Sequence, residues 1–145
     1  MPTRRFYIAD STLATQYYAD LQKRLQTEWP NFPPIHSADD AVPQPLVALT
    51  SSSALAGGLA FIAAKSPIGD QLAIWINGVL VAPEYRRRGV GSRLIQAAHE
   101  VARRTGVPRL YALTELPDLY SKLKWAIFSN VGADFVMTWD SCDDN

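Results

Sequence analysis

The stretch from Ile76 to Gly91, Ile-Asn-Gly-Val-Leu-Val-Ala-Pro-Glu-Tyr-Arg-Arg-Arg-Gly-Val-Gly, constrains the fold more than any other part of the chain. An apolar, β-branched run meets a proline, passes through a cationic Gly-x-Gly turn and enters an amphipathic helical pattern. This order predicts strand, turn and helix in direct succession. Such a junction suits a polyanion, because the first N–H groups of a helix have no partner within it and the helix dipole adds positive charge there. Gly89 and Gly91 let a ligand come close to the backbone and permit positive φ. A diphosphate fits this chemistry.

The flanking segments give the strand a sheet to belong to. Arg5 to Ala9 predicts a short first strand, with Asp10 or Ser11 as the N-cap of the first helix. Leu13, Tyr17, Leu21 and Leu25 recur every four residues, which predicts one amphipathic helix ending near Trp29 and Pro30. Five prolines between Pro30 and Pro45 exclude regular helix and central strand there, leaving a structured loop or lid. Leu46 to Leu49 and Leu59 to Ala64 read as strands joined by a loose loop over Thr50 to Gly58, and Leu72 to Ala82 as the long central strand.

Beyond Gly91, Leu94, Ala98 and Val101 form an apolar helical stripe with Ile95 and Ala102 beside it, and Gly106 and Pro108 stop the helix. Arg109 to Thr114 predicts a strand, Pro117 opens a short helix through about Lys122 to Lys124, and Ala126 to Val131 with Asp134 to Trp139 predict a closing hairpin around Gly132. The fold class is α/β, a mixed and largely antiparallel central sheet with one parallel strand pair, flanked by helices. With 145 residues the chain reads as a single domain over residues 1–145.

Charge narrows the partners. Lys+Arg and Asp+Glu are 14 each, so the net charge is +0, which argues against nucleic acid or an anionic membrane as a partner recognised by global charge. Cys142 is the single cysteine, so neither an intrachain disulfide nor a multi-cysteine metal site is available. No metal is expected. No apolar run approaches the ~18 residues of a membrane span and no signal-peptide pattern opens the chain, so a cytoplasmic protein is expected.

Arg86-x-x-Gly89-x-Gly91, following Val81-Ala82-Pro83-Glu84-Tyr85 and preceding Ser92 and Leu94, resembles the acyl-CoA-binding motif of the GNAT superfamily of N-acetyltransferases. Leu110 to Thr114 resembles the strand after the helix in that family, and Tyr120-Ser-Lys-Leu-Lys-Trp125 its Tyr-x-x-x-Gly-Phe/Trp element. The resemblance covers residues 46–139 by element order and is loose over the first 45.

This resemblance implies acetyl-CoA as co-substrate. Backbone N–H groups of Arg87, Arg88, Gly89, Val90, Gly91 and Ser92 would hold the pyrophosphate, with one of Arg86, Arg87, Arg88 and Arg93 on a phosphate. Leu80, Val81 and Ala82 would pair with the pantetheine arm as an added strand does. Tyr120 is the implied acid for the departing thiolate, and its alternative role is as helix-face bulk beside Leu119 and Leu123. The central strand holds no carboxylate, so the base stays open between Glu115, Glu28, His36 and a water relay. Lys124 departs from the family pattern, which has glycine there.

Two function classes result. The first is transfer of an acetyl group to a primary amine of a small molecule through a ternary complex, by a monomer or homodimer. The alternative is a non-catalytic acyl-CoA-binding sensor. A nucleic-acid module built on Arg86 to Arg88 lacks a wider basic face.

Overall fold

A computed structural model of the chain describes residues 5–35 and 41–142, arranged as one mixed sheet between two helical layers. The strands are β1 (Phe6–Ile8), β2 (Leu46–Thr50), β3 (Leu55–Lys65), β4 (Leu72–Val81), β5 (Arg109–Thr114), β6 (Ala126–Val131) and β7 (Asp134–Asp140). The helices are α1 (Ser11–Thr15), α2 (Tyr18–Glu28), α3 (Val90–Thr105) and α4 (Pro117–Ser121), with a 3-10 turn over Pro83–Tyr85. The sheet order is β1-β2-β3-β4-β5-β7-β6. Among the described residues only β4 and β5 pair in parallel, because α3 carries the chain back across the sheet between them.

The two faces bury different stripes. Leu94, Ile95, Ala98 and Ala102 of α3 pack with Leu59, Phe61, Ile76, Leu110 and Met137, while Leu21 and Leu25 of α2 pack with Val47, Leu49, Ala60 and Leu80. Ile76 and Leu80 differ by an even number of residues yet lie in opposite layers. A bulge explains this: Phe61 pairs with Ile76 but Ala60 pairs with Gly78, so Asn77 is the extra residue and reverses the alternation of β4.

Two boundaries differ from expectation in ways that change the packing, and α4 ends at Ser121 and not at Lys122 to Lys124. The predicted first helix is two, α1 and α2, separated at Gln16 and Tyr17, where Gln16 N–H and Tyr17 N–H reach the carbonyls of Leu13 and Ala14 in tight turns. The break lets the adjacent Tyr17 and Tyr18 hydroxyls anchor separate loops, donating to Ser53 O at 2.8 Å and to Pro45 O at 2.9 Å. The loose loop expected over Thr50 to Gly58 is a tight turn over 51–54. Thr50 Oγ1 accepts from Ala54 N–H at 3.0 Å, so Gly57 and Gly58 belong to β3, opposite Ala48 and Val47.

The segment after α2 is held by side chains of α2. Gln22 Nε2 donates to Pro33 O at 3.0 Å, Gln22 Oε1 accepts from Ile35 N–H at 2.6 Å, and Gln26 Nε2 donates to Phe32 O at 3.4 Å. Those bonds replace the backbone partners that a proline-rich segment cannot supply.

Candidate active site

β4 and β5 share a ladder only from Ile74–Leu110 to Ile76–Ala112. Beyond the bulge at Asn77 they part: β5 continues in register with β7 to Thr114–Phe135, while β4 stays with β3 to Val81–Gly57. A cavity of about 720 Å³ opens where they separate, with Asn77, Gly78 and Val79 on one side and Thr114, Glu115 and Tyr120 on the other. Trp29 and Phe32 form another wall. Phe32 reaches β4 because Gly78 has no side chain: a Cβ there would lie 2.8 Å from Phe32 Cε2.

Backbone groups of β4 line this opening in a defined pattern. Ala82 N–H donates to Ala56 O at 2.8 Å, which turns Ala82, and by antiparallel alternation Leu80, toward β3. The backbone groups of Val79 and Val81 then point away from β3, toward the side from which β5 has parted, and Val79 is on the cavity wall. The Val81 carbonyl accepts from Arg86 Nε at 3.3 Å.

At the far end of β4 the chain turns into α3. Gly89 is the N-cap, with φ 82 and no side-chain cap bond, and a Cβ on it would meet nothing within 4 Å. Arg87 also has positive φ, at 65. The helix start is therefore open to an incoming anion, and its leading N–H groups have no capping side chain. The four arginines are not equivalent. Arg86 Nε and Arg88 Nε donate back to the carbonyls of Val81 and Glu84, each at 3.3 Å, whereas Arg87 and Arg93 are exposed and make no side-chain bond among the described residues.

Tyr120 lies in α4, 5% exposed, on the cavity wall. Its ring meets Trp125 edge-on, with centroids 4.9 Å apart. The end of α4 fixes that contact: Trp125 N–H returns to Tyr120 O at 3.2 Å and Lys124 N–H to Ser121 O at 3.2 Å, with Lys124 left-handed at φ 71. This is a Schellman termination, in which the residue after the left-handed position packs against the start of the last turn. Lys124 thus takes the conformation that glycine favours. Burial pushes the Tyr120 phenol up to about 12, so it stays protonated through the physiological range.

Behind Trp125 sits His99, a buried residue of α3 that the helical stripe in the sequence did not single out. Trp125 Nε1 donates to His99 Nε2 at 2.8 Å, and the imidazole stacks on Trp139 with centroids 4.1 Å apart and planes 3° from parallel. An acceptor role at Nε2 places the proton on Nδ1. Burial, and then the positive charge of Arg103, lowers this histidine to about 4. Its only sequence signal was a lone histidine among the apolar and small residues of α3.

Of the candidate bases, Glu115 lines the cavity and is exposed, between β5 and α4. Glu28 ends α2 and is not on the cavity wall, and His36 lies outside the described residues. The sequence pattern did not point to Asn77 or Asp134, which both line the cavity. Asn77 was signalled only as a polar residue inside an apolar strand. A larger cavity, about 1010 Å³, lies between the β1–α1 segment and α3; Arg93 is on its wall, Tyr120 is not, and neither cavity is lined by residues 86–92.

The model of the acetyltransferase (GNAT) family matches residues 8–123, reaching into the region where the sequence resemblance was loose. No curated protein sequence gives a significant match. Among solved structures, the chain is similar to a GNAT family N-acetyltransferase from Escherichia coli in complex with CoA (TM-score 0.66, 16% identity, covering 99% of this chain and 86% of that one). It is also similar to an N-acetyltransferase from Thermoplasma acidophilum in complex with coenzyme A (TM-score 0.58, 14% identity, covering 94% and 99%). Nourseothricin acetyltransferase matches at TM-score 0.53 and 21% identity, covering 72% of this chain and 69% of that one. At these identities the likeness is one of fold.

Proposed function

Because the chain belongs to the acetyltransferase (GNAT) family, we propose that it moves an acetyl group from acetyl-CoA directly to a primary amine of a small molecule, in a ternary complex. One observation carries this reading: the buried Tyr120 shares the cavity wall with Val79 and Leu119, and those two side chains lie 3.9 and 4.0 Å from where a Cβ on Gly91, in the first turn of α3, would stand.

The residues present fit the donor. Open space at Gly89, the unoccupied N–H groups after it and the uncommitted Arg87 and Arg93 suit a diphosphate, with Arg86 and Arg88 holding the loop in shape. Within the sequence-assigned strand contact of Leu80, Val81 and Ala82, the backbone groups of Val81, which point away from β3, and those of its neighbour Val79 are suited to pair with the amide-bearing arm. Val79 N–H and Val81 N–H are then the donors available to polarise the thioester carbonyl.

When bound, the thioester supplies an electrophilic carbon and a thiolate leaving group. The amine nitrogen forms the new C–N bond and the C–S bond breaks; an amine that arrives as its ammonium gives up two protons in all, one passed to solvent to free the lone pair and one matched by the proton gained by sulfur. Tyr120 contributes as hydrogen-bond donor to the sulfur as negative charge builds there. A phenol near 12 is a weaker acid than an ordinary thiol at ~8.5. The burial that raises the phenol also raises a thiol held beside it, which narrows that gap. Glu115, on the cavity wall between β5 and α4, is a carboxylate suited to take the amine proton, directly or through water. Holding amine and thioester together in the opening supplies much of the acceleration.

The test is thermal: acetyl-CoA near millimolar concentration raises the melting temperature by mass action. An unchanged melting temperature overturns the donor assignment.

A further inference from the structure

We propose that the acceptor is a cationic amine with an apolar body of aromatic size and no carboxylate; this deepens the acetyl-transfer reading above and rests on it. The cavity differs in charge from the loop that leads into α3. That loop carries Arg86, Arg87 and Arg88, none of which lines the cavity, and among the described residues that do line it there is no Lys, Arg or His. Its charged groups are Glu115 and Asp134, and neither makes a side-chain hydrogen bond or ion pair among the described residues.

An amine arrives at neutral pH as its ammonium, which these two carboxylates attract. A carboxylate on the acceptor would face both with no cation among the described lining residues to receive it, a repulsion that discriminates against amino acids. The remaining walls select the body of the molecule. Trp29, Leu113 and Leu116 are 46%, 53% and 67% exposed, large apolar side chains left uncovered at one cavity. Phe32 stacks obliquely with Trp29, with centroids 5.9 Å apart, and forms the inner wall over Gly78. An opening of about 720 Å³ is of the size that holds a small ligand, and covering these side chains with a ring removes apolar surface from water on both partners.

The experiment is calorimetric titration of the CoA-saturated protein with three probes: 2-phenylethylamine, phenylalanine, which adds a carboxylate, and ethylamine, which removes the ring. The proposal predicts that 2-phenylethylamine binds at least about tenfold tighter than either, a difference of about 1.4 kcal/mol. In a Glu115→Gln, Asp134→Asn double variant the gap to phenylalanine shrinks at least about threefold while the gap to ethylamine persists. Should that variant fail to fold, rising salt in the wild type must narrow the first gap and spare the second. Equal or tighter binding of phenylalanine or ethylamine overturns the proposal, as does absence of binding by all three near ~10 mM. CoA release measured in parallel separates the two claims. Release with amines of another class overturns this inference alone, whereas selective binding without release with any amine overturns the acetyl-transfer reading.

Discussion

Trp125 donates its indole N–H to Nε2 of His99 at 2.8 Å, and this bond ties the end of α4, with Tyr120, to the middle of α3. The imidazole accepts that bond only while Nε2 is unprotonated, so the neutral form is part of the fold.

Stability should therefore fall in acid. Folded His99 titrates near 4, depressed by burial and by Arg103, against ~6.5 when unfolded, so the unfolded chain binds more protons between those values. Its contribution is complete above about pH 6.5 and is lost as the pH falls toward 4. His99→Gln keeps an acceptor with no proton to gain. Urea unfolding from neutral pH down to about 4.5 should show the wild type losing roughly 2 kcal/mol more than this variant. Parallel losses would contradict the assignment.

Lys124→Gly should stabilise the protein. The left-handed conformation at φ 71 costs an ordinary residue about 1 kcal/mol, and the Schellman bonds around it require it. Glycine adopts it without that strain, although its freer unfolded chain offsets part of the gain. A rise of about 0.5 kcal/mol in unfolding free energy is expected, and a loss would mean that the lysine side chain contributes more than its backbone costs.

The arginines of the loop should separate into two kinds. Arg87→Ala and Arg93→Ala are expected to raise the KM for acetyl-CoA several-fold, more at low salt, with little change in melting temperature. Arg86→Ala removes the bond to the Val81 carbonyl and should lower thermal stability as well. Uniform effects across the set would mean that their different bonding has no consequence for the donor.

Tyr120→Phe should lower kcat by roughly tenfold to a hundredfold while changing KM little, because the phenol acts on charge that builds only during the reaction. With the phenol near 12, the wild-type pH profile should show no alkaline fall from Tyr120 below about pH 11. Unchanged turnover in the variant would remove Tyr120 from the reaction.

The parts of this site that depend on short-range pattern were legible in the sequence. The strand, proline break, glycine turn and amphipathic stripe put β4 and α3 within about two residues of where they lie, because those signals act over a few residues. Asn77 was not recognised as a bulge, since a bulge exists only relative to the partner strand, and β3 supplies that through Ala60 and Phe61. His99 and Asp134 were missed for the same kind of reason: their partners are Trp125, Trp139 and a cavity wall assembled from distant segments. The helix break at Tyr17 accompanies a hydroxyl bond to Ser53, which no four-residue spacing can report.

The most direct measurement is product stoichiometry: acetyl-CoA, enzyme and a panel of primary amines, with released CoA thiol and acetylated amine quantified together. The account predicts amine-dependent release with one N-acetyl product formed per CoA, slowed roughly tenfold to a hundredfold in Tyr120→Phe. Tight acetyl-CoA binding with no amine-dependent release anywhere in the panel would contradict it, and would make the protein an acyl-CoA-binding sensor.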